Sequence, residues 1–317
     1  MRVSSLRTRS HVGRKSLIFD GLMVYFRHID VCMGENKLKI GLVQTKVSSH
    51  ITANLHKIAK YVKKATIKGA NIVCLPELFA MRYLAQKEDN SAFALAETIP
   101  GKITHFLSSI ANKNKIILIG GSLFEKGEDG RHYNTSIVFD DKGKIKAKYR
   151  KIHIPYDPKY YEQYYFSSGN LGYVQIKISN ITIAPLICYD QWYPEAARIN
   201  ALKGAQIIFY PTAIGWFNHL KKYEPFSAKR WENAMCAHAS MNGVYVVAVN
   251  RVGRENELNF WGSSFIADPF GEIVARASGS NEEVLVDEID LKKVKMSQEG
   301  WGFLRNRKPK SYKELSK

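Results

Sequence analysis

The stretch Lys68-Gly69-Ala70-Asn71-Ile72 leads through a short apolar run to Pro76, and Lys203-Gly204-Ala205-Gln206-Ile207 leads through another such run to Pro211. In each copy a Gly follows a helical pattern, which is typical of the residue that ends a helix. An apolar run that predicts a strand begins directly afterwards. The recurrence of helix, Gly turn, strand and Pro at matching offsets predicts two similar halves; the alternative is a coincidence between two ordinary helix-to-strand turns.

The sequence around the two copies alternates strands with helices. Between them, a succession of strands separated by turn-forming groups predicts hairpins. This order predicts an α/β fold of packed layers, with the strand ends of both halves facing a shared crevice. We predict strands at 38–44, 71–75, 116–120, 136–139, 145–149, 173–178, 181–187, 207–210 and 244–250, helices at 51–67, 103–112, 194–203 and 228–242, and two more strands with a polar tail after Ser263.

The composition describes a globular chain with a basic surface. Its 317 residues are 45% hydrophobic, which is enough for a sizeable core, and the formal net charge is +18. The basic residues are spread among acids, without a basic block, a zinc-ligand spacing or an RNA-binding aromatic motif, so we predict no nucleic-acid partner. No apolar stretch approaches the roughly 20 residues of a membrane span, so we predict no membrane partner either.

The cysteines and the N-terminal segment bear on processing and compartment. Cys32, Cys74, Cys188 and Cys236 form no C-x-x-C pair, and a chain of this length does not need disulfides, so a cytoplasmic location is expected.

Residues 1–36 are rich in Arg and Ser; we interpret them as a basic arm that is disordered or a translated leader, with a transit peptide as the alternative. Residues 37–317 are expected to form a single domain.

Two residues with chemical potential follow predicted strands. Glu77 stands just past the apolar run that ends in Pro76, a position that suits a general base. Cys188 ends the apolar run 181–187, ahead of the helix predicted from Pro194, so we expect a strand-to-helix elbow. A helix N-terminus stabilises a nearby thiolate, which predicts a nucleophile. Taken singly, Glu77 could be an ordinary acid after a strand and Cys188 a buried, inert thiol.

Two further residues lie near the end of a predicted hairpin. Lys151 follows the strand at 145–149, and inside a crevice its ammonium could stabilise an oxyanion. Glu162 is set among aromatic residues and could orient Lys151 or the substrate. The alternatives are a surface lysine and an exposed loop acid.

These neighbourhoods together resemble the nitrilase superfamily of carbon–nitrogen hydrolases. The resemblance runs from about Leu38 to about Pro309. Its three signature regions are Leu75-Pro76-Glu77, Tyr149-Arg150-Lys151 with the following His-Ile-Pro, and Cys188-Tyr189-Asp190 with the following Pro194-Glu195.

The resemblance implies roles, an architecture and an assembly. The family's general base corresponds to Glu77, its lysine to Lys151, its nucleophile to Cys188, and the additional glutamate of many members to Glu162. It also implies a four-layer αββα sandwich of two pseudo-symmetric halves and a homodimer or larger homo-oligomer. Members of the family use no metal and no organic cofactor, so we expect none here.

Within the superfamily, the sequence flanking Cys188 is most similar to the N-carbamoylputrescine amidases. Relatives acting on N-carbamoyl amino acids carry arginines where this chain has Gln191 and Trp192, so a substrate carboxylate would lack that partner. A small N-carbamoyl amine with a cationic tail is the expected substrate. Rival functions are a β-ureidopropionase or ω-amidase activity and a non-catalytic binding role. The residues expected to contact substrate are aromatic or acidic: Tyr189, Trp192, Tyr165, Trp216, Asp190 and Glu195.

Overall fold

The computed structural model describes residues 36–217 and 221–316. The predicted arm lies outside these residues apart from Asn36. No helix among the described residues is long and apolar enough to cross a membrane. The helices of this part of the chain are α1 (Ile51–Ile67), α2 (Lys102–Asn114), α3 (Glu162–Tyr165), α4 (Pro194–Leu202), α5 (Ser227–Asn242) and α6 (Lys292–Trp301).

The strands follow the predicted order, with several additions. They are β1 (Lys37–Gln44), β2 (Ile72–Cys74), β3 (Ile117–Ile119), β4 (Leu123–Lys126), β5 (His132–Phe139), β6 (Ile145–Arg150), β7 (Tyr156–Asp157), β8 (Tyr160–Tyr161), β9 (Ile176–Ile178), β10 (Ile181–Pro185), β11 (Ile207–Thr212), β12 (Gly215–Phe217), β13 (Tyr245–Asn250), β14 (Val252–Glu255), β15 (Leu258–Trp261), β16 (Phe265–Ala267), β17 (Ile273–Arg276) and β18 (Glu283–Asp290).

Two large mixed sheets contain the halves that the sequence predicts. The first has the order β18-β1-β2-β3-β5-β4, with β6 paired to β5, and the second has the order β17-β16-β13-β11-β10-β9. In the first sheet β1, β2 and β3 are parallel, and in the second β10, β11 and β13 are parallel. The strand that follows each Gly turn is therefore the middle one of three parallel strands.

The repeated Gly turn has the same conformation in both halves. Gly69 has φ +89° and Gly204 has φ +91°, values that suit glycine because it lacks a Cβ. After each turn the amide of the next residue donates to a carbonyl in the last turn of the preceding helix. The predicted repeat is thus confirmed as a structural one.

The layers are held together by three apolar interfaces. The side chains of β2 alternate between the two faces of the first sheet. Ile72 and Cys74 pack toward the second sheet, whereas Val73 packs against α1 and α2. The outer face of the second sheet packs in the same way on α4 and α5, where Trp231 and Met235 are buried. The order helix, sheet, sheet, helix confirms the predicted αββα sandwich.

Besides the added strands β4, β7 and β8 and the short helix α3, two regions differ from the sequence prediction. After Ser263 the chain forms three strands rather than two, and then α6 in place of a polar tail. Only Val294 and Ser297 of α6 are buried and most of its residues are polar, so its sequence suggests an exposed tail rather than a helix packed on a core. A separate sheet of β12, β15 and β14 was also not predicted, and it brings Trp216 and Trp261 together.

Candidate active site

Glu77, Lys151, Cys188 and Glu162 converge at one end of the sandwich. Glu77 follows the end of β2, Lys151 directly follows β6, and Cys188 follows the end of β10, while Glu162 begins the short helix α3. All four are buried, Cys188 least so at 8% exposure. The structure thus brings together the four residues that the sequence assigns to catalysis.

Lys151 forms ion pairs with both glutamates. Its Nζ lies 3.0 Å from Glu77 Oε1 and 2.6 Å from Glu162 Oε2. Burial alone would lower the pKa of Lys151, but the adjacent carboxylates of Glu162 and Glu77 raise it overall, so the lysine remains an ammonium. Burial and the charge of Glu77 raise the pKa of Glu162, and Lys151 opposes that rise.

The two oxygens of the Glu77 carboxylate have different surroundings. Oε1 accepts hydrogen bonds from Lys151 and, at 2.8 Å, from Asn134 Nδ2. Oε2 is buried and has no hydrogen-bond partner among the described residues. A buried acceptor without a hydrogen-bond partner costs free energy, so such an atom in a candidate active site indicates a chemical role. Oε2 is the oxygen available to take a proton from a reacting group.

The other carboxylate of the site is fixed by a tyrosine. Tyr83 Oη donates to Glu162 Oε1 at 2.7 Å. Burial, followed by the charge of Glu162, raises the pKa of Tyr83 well above its usual value, so it remains a donor. With Lys151 on one oxygen and Tyr83 on the other, Glu162 holds the ammonium in place.

Cys188 is a strained, neutral thiol. Its φ of +40° lies in the left-handed region, a strained conformation that is common at catalytic turns. Burial and the charge of Glu77 raise the pKa of Cys188 well above its usual value, outweighing the opposite effect of Lys151. The predicted thiolate stabilised by a helix dipole is therefore wrong: Cys188 opens a 3₁₀ turn, Cys188–Trp192, and α4 begins only at Pro194. Attack by this sulfur requires a base.

Asp190 does not line the cavity beside Cys188, so its predicted contact with substrate is corrected. It is completely buried and accepts hydrogen bonds from Tyr149 Oη at 2.8 Å and from the His153 amide at 3.1 Å, on either side of Lys151. It also accepts one at 3.0 Å from the amide that precedes Cys188. These bonds tie the segment carrying the ammonium to the turn carrying the thiol.

Two more predicted contacts lie away from the cavity. Tyr165 is buried in an aromatic cluster and donates at 2.6 Å to the Lys87 carbonyl. Glu195 is exposed in the first turn of α4. Tyr189 and Trp192, in contrast, both line the cavity as expected.

The cavity itself has a volume of about 490 Å³ and opens above Cys188 and Glu162. Much of its wall is aromatic, and one face of Trp216 is occupied by Lys221, whose Nζ lies 4.4 Å from the ring centroid. Among the described residues no cluster of His, Cys, Asp and Glu has the arrangement of a metal site. The aromatic lining residues are Tyr160, Tyr189, Trp192, Trp216, Phe217 and Trp261.

Three charged residues of the cavity were not predicted from the sequence. Asp157, Glu224 and Arg230 all line it and are all exposed. Asp157 belongs to the short strand β7 in the loop after Lys151, and Glu224 precedes α5, so neither follows a periodic pattern that predicts its direction. Arg230 lies in the first turns of a helix that was predicted, where a basic residue usually faces solvent.

Replacing Glu77 with glutamine is expected to separate the charge of this residue from its role as a base. Because the Glu77 carboxylate raises the pKa of Cys188, its loss should lower that pKa, so the thiolate forms at lower pH. Turnover should nevertheless fall by on the order of 10²–10⁴-fold, since no base remains. Thiolate absorbance against pH, taken as a difference from Cys188→Ala, measures the first effect. An unchanged or raised titration midpoint would contradict the electrostatic account.

A carboxylate, an ammonium and a thiol, buried together at strand ends of an αββα sandwich, are a set that suits hydrolysis by a cysteine nucleophile. Comparison with known proteins shows that the chain is a hydrolase. The family model described as carbon-nitrogen hydrolase matches residues 39–297. A carbon-nitrogen hydrolase from Helicobacter pylori G27, known from its crystal structure, is 38% identical with a TM-score of 0.83, covering 89% of this chain and 99% of that one.

Two relatives have names that state an activity. A protein of Oryza sativa subsp. japonica named N-carbamoylputrescine amidase is 38% identical over 288 residues, covering 88% of this chain and 95% of the relative. A protein of Francisella tularensis subsp. tularensis named citrullinase is 37% identical over 284 residues, covering 88% and 98%. The chain belongs to the carbon-nitrogen hydrolase family, within the nitrilase superfamily. It is an enzyme that hydrolyses an amide or carbamoyl carbon–nitrogen bond of a small molecule.

Proposed function

We propose that this enzyme hydrolyses N-carbamoylputrescine to putrescine, carbon dioxide and ammonia, a step of polyamine biosynthesis. The observation that carries the proposal is the Cys188 thiol at the floor of a cavity, beside the Glu77 carboxylate with one unpartnered oxygen, and two carboxylates of the cavity wall that have no cationic partner among the described residues. Those carboxylates are Asp157 and Glu224, and they suit the ammonium at the far end of the substrate.

The first half of the reaction forms a covalent intermediate. Glu77 Oε2 takes the thiol proton as Cys188 Sγ adds to the carbamoyl carbon. Lys151 Nζ and the backbone amide of Tyr189 stabilise the oxyanion of the tetrahedral adduct. Glu77 then gives its proton to the departing nitrogen, so the carbon–nitrogen bond breaks and a thioester-like intermediate remains on the sulfur.

The second half regenerates the thiol. A water molecule loses a proton to Glu77 and attacks the carbonyl carbon of the intermediate. Collapse of this second adduct breaks the carbon–sulfur bond, and Cys188 recovers its proton from Glu77. The carbamic acid released from the sulfur then loses carbon dioxide and sets free the second nitrogen group. The products are therefore putrescine, ammonia and carbon dioxide whichever nitrogen leaves first.

The cavity also suits the shape and charge of this substrate. Its aromatic wall accommodates a four-carbon chain, since apolar contact with methylene groups is favourable. Asp157 and Glu224 are exposed, so a pair with the ammonium is solvent-screened and contributes selectivity more than affinity. Net charge does not oppose binding, because repulsion from the basic surface is screened beyond about 8 Å at physiological ionic strength.

A panel of ureas and amides tests the proposal. N-carbamoylputrescine is expected to exceed butylurea, its analogue without the ammonium, by about fivefold in kcat/KM, a difference of about 1 kcal/mol. It should also exceed N-carbamoyl-β-alanine and ω-amides of dicarboxylic acids. Ammonia release measured across the panel gives the ranking. Equal rates for butylurea and N-carbamoylputrescine, or faster hydrolysis of N-carbamoyl-β-alanine, would overturn the substrate assignment.

Assembly and compartment stay predictions. A homodimer or larger homo-oligomer is supported by large apolar residues exposed on the outer helices and nearby segments, including Leu202, Met241 and Phe303. The cytoplasm remains the expected location.

A further inference from the structure

Asn134 is a completely buried polar residue in the middle of a sheet, where asparagine is uncommon. It lies on β5, which pairs with β4 on one side and with β6 on the other. Its amide nitrogen Nδ2 donates to Glu77, whereas its amide oxygen Oδ1 is buried without a hydrogen-bond partner among the described residues. Burying an unpartnered oxygen costs free energy, so stability alone does not account for an asparagine at this position.

The hydrogen bond from Asn134 bears on how the Glu77 carboxylate is used. A carboxylate only accepts hydrogen bonds, so the nitrogen of the Asn134 amide, and not its oxygen, must face it. This nitrogen, at 2.8 Å, and Lys151 Nζ, at 3.0 Å, are both bonded to the same oxygen, Oε1. The two donors therefore leave Oε2, the oxygen proposed to take the proton, without a partner among the described residues.

Lys151 alone would fix the direction of the carboxylate less well. Its ammonium is shared with Glu162, to which it lies closer, at 2.6 Å. The last torsion of a glutamate side chain is soft, so a carboxylate held by one donor tilts easily about that bond. A second donor on Oε1 defines the plane of the carboxylate and so the direction in which Oε2 points.

The main chain of Asn134 also contacts the segment that carries the ammonium. Its carbonyl accepts a hydrogen bond at 2.8 Å from the Lys151 amide. We propose that Asn134 is a positioning residue, which holds the Glu77 carboxylate so that Oε2 meets the proton of the reacting group. The inference rests on the role of Glu77 as the base in the proposed function, but not on which amine the substrate contains.

A double-mutant cycle on kcat tests this role, with Asn134→Ala, Glu77→Gln and the two changes together. It uses the member of the urea and amide panel that the wild-type enzyme hydrolyses fastest. Alanine deletes the Nδ2 donor but keeps the main-chain carbonyl that is bonded to Lys151. Misplacing a reacting group by about 1 Å costs up to about 10²-fold, so Asn134→Ala should lower kcat by about 10- to 100-fold.

Two features of the result would separate positioning from a general loss of structure. Asn134 does not line the cavity, so KM should stay within about threefold of the wild-type value. In the Glu77→Gln background, Asn134→Ala should change kcat by less than about threefold, because residues that act as a unit are not additive.

Further variants control for packing. Asn134→Val also lacks the donor, but its branched side chain fills more of the site and suits a strand, so it should lower kcat as alanine does even if alanine destabilises the fold. Ser136→Ala deletes a buried oxygen from the same face of β5. That oxygen has no hydrogen-bond partner among the described residues, so kcat should stay within about twofold.

The inference fails if folded Asn134→Ala and Asn134→Val both keep kcat within about twofold of wild type. It also fails if Asn134→Ala lowers kcat by the same factor with and without Glu77→Gln, since the residue would then act on the fold rather than through the base. Both results leave the proposed substrate standing, because the panel ranks substrates with the wild-type enzyme alone. Near-normal turnover in Glu77→Gln would instead refute the base itself, and this inference with it.

Discussion

Replacing Cys188 with alanine is expected to lower kcat by on the order of 10⁴-fold or more, because it removes the atom that forms the covalent intermediate. The fold should survive, since the change deletes one sulfur at a site that is 8% exposed and whose turn is held by hydrogen bonds to Asp190. Ammonia release from N-carbamoylputrescine measures the activity, and circular dichroism with thermal unfolding measures the fold.

The matched control for this change is Cys236→Ala. Cys236 is a half-buried thiol on α5 that does not line the cavity, so this variant should keep near-normal turnover. If Cys188→Ala retains more than about a hundredth of the wild-type kcat while folded, a different group carries the chemistry, since loss of a nucleophile costs far more than that.

Replacing Lys151 with methionine is expected to remove activity and also to destabilise the fold by about 3–5 kcal/mol. The variant keeps a side chain of similar length but leaves the buried Glu77 and Glu162 carboxylates without their shared cation. The control is Lys148→Met on β6, the strand that ends just before Lys151: Lys148 is partly exposed, and its partner Glu125 keeps Arg150, so that change should cost about 1 kcal/mol or less.

The loss of stability in Lys151→Met should depend on pH. Burial and Glu77 already raise the pKa of Glu162, and losing Lys151 removes the opposing effect. A carboxyl whose pKa is higher in the folded state than in the unfolded state favours folding most when protonated, and this contribution is lost as pH rises. Urea unfolding should therefore show a smaller deficit at about pH 5 than at about pH 8. A deficit that grows on acidification would contradict this sign.

The sandwich could be predicted because its signals are local and repeated. Gly69 and Gly204 each end a helix and precede a buried strand, and strands buried on both faces give continuous apolar runs that are easy to recognise. The positions of the residues proposed for catalysis follow directly from that frame, since side chains just past the ends of neighbouring strands meet at one edge of a sheet. Their individual roles came from the resemblance to a family rather than from spacing.

The substrate end of the cavity could not be predicted in the same way. Asp190 is an acid two residues after Cys188, yet its side chain turns inward because Tyr149 and buried amides offer it hydrogen bonds. Asp157 lies on a two-residue strand within a loop and Glu224 on an irregular segment, so their side-chain directions depend on tertiary packing rather than on periodicity. Sequence patterns show which residues are charged but not which of them share a cavity.

The most direct test of the central claim is the stoichiometry of inactivation by iodoacetamide. If Cys188 is the nucleophile held between Glu77 and Lys151, activity should fall in step with labelling of Cys188, one label per active site, and saturating N-carbamoylputrescine should protect both. Mass mapping of the labelled peptides assigns the modified thiol. Enzyme that still hydrolyses substrate after Cys188 is fully labelled would contradict the account.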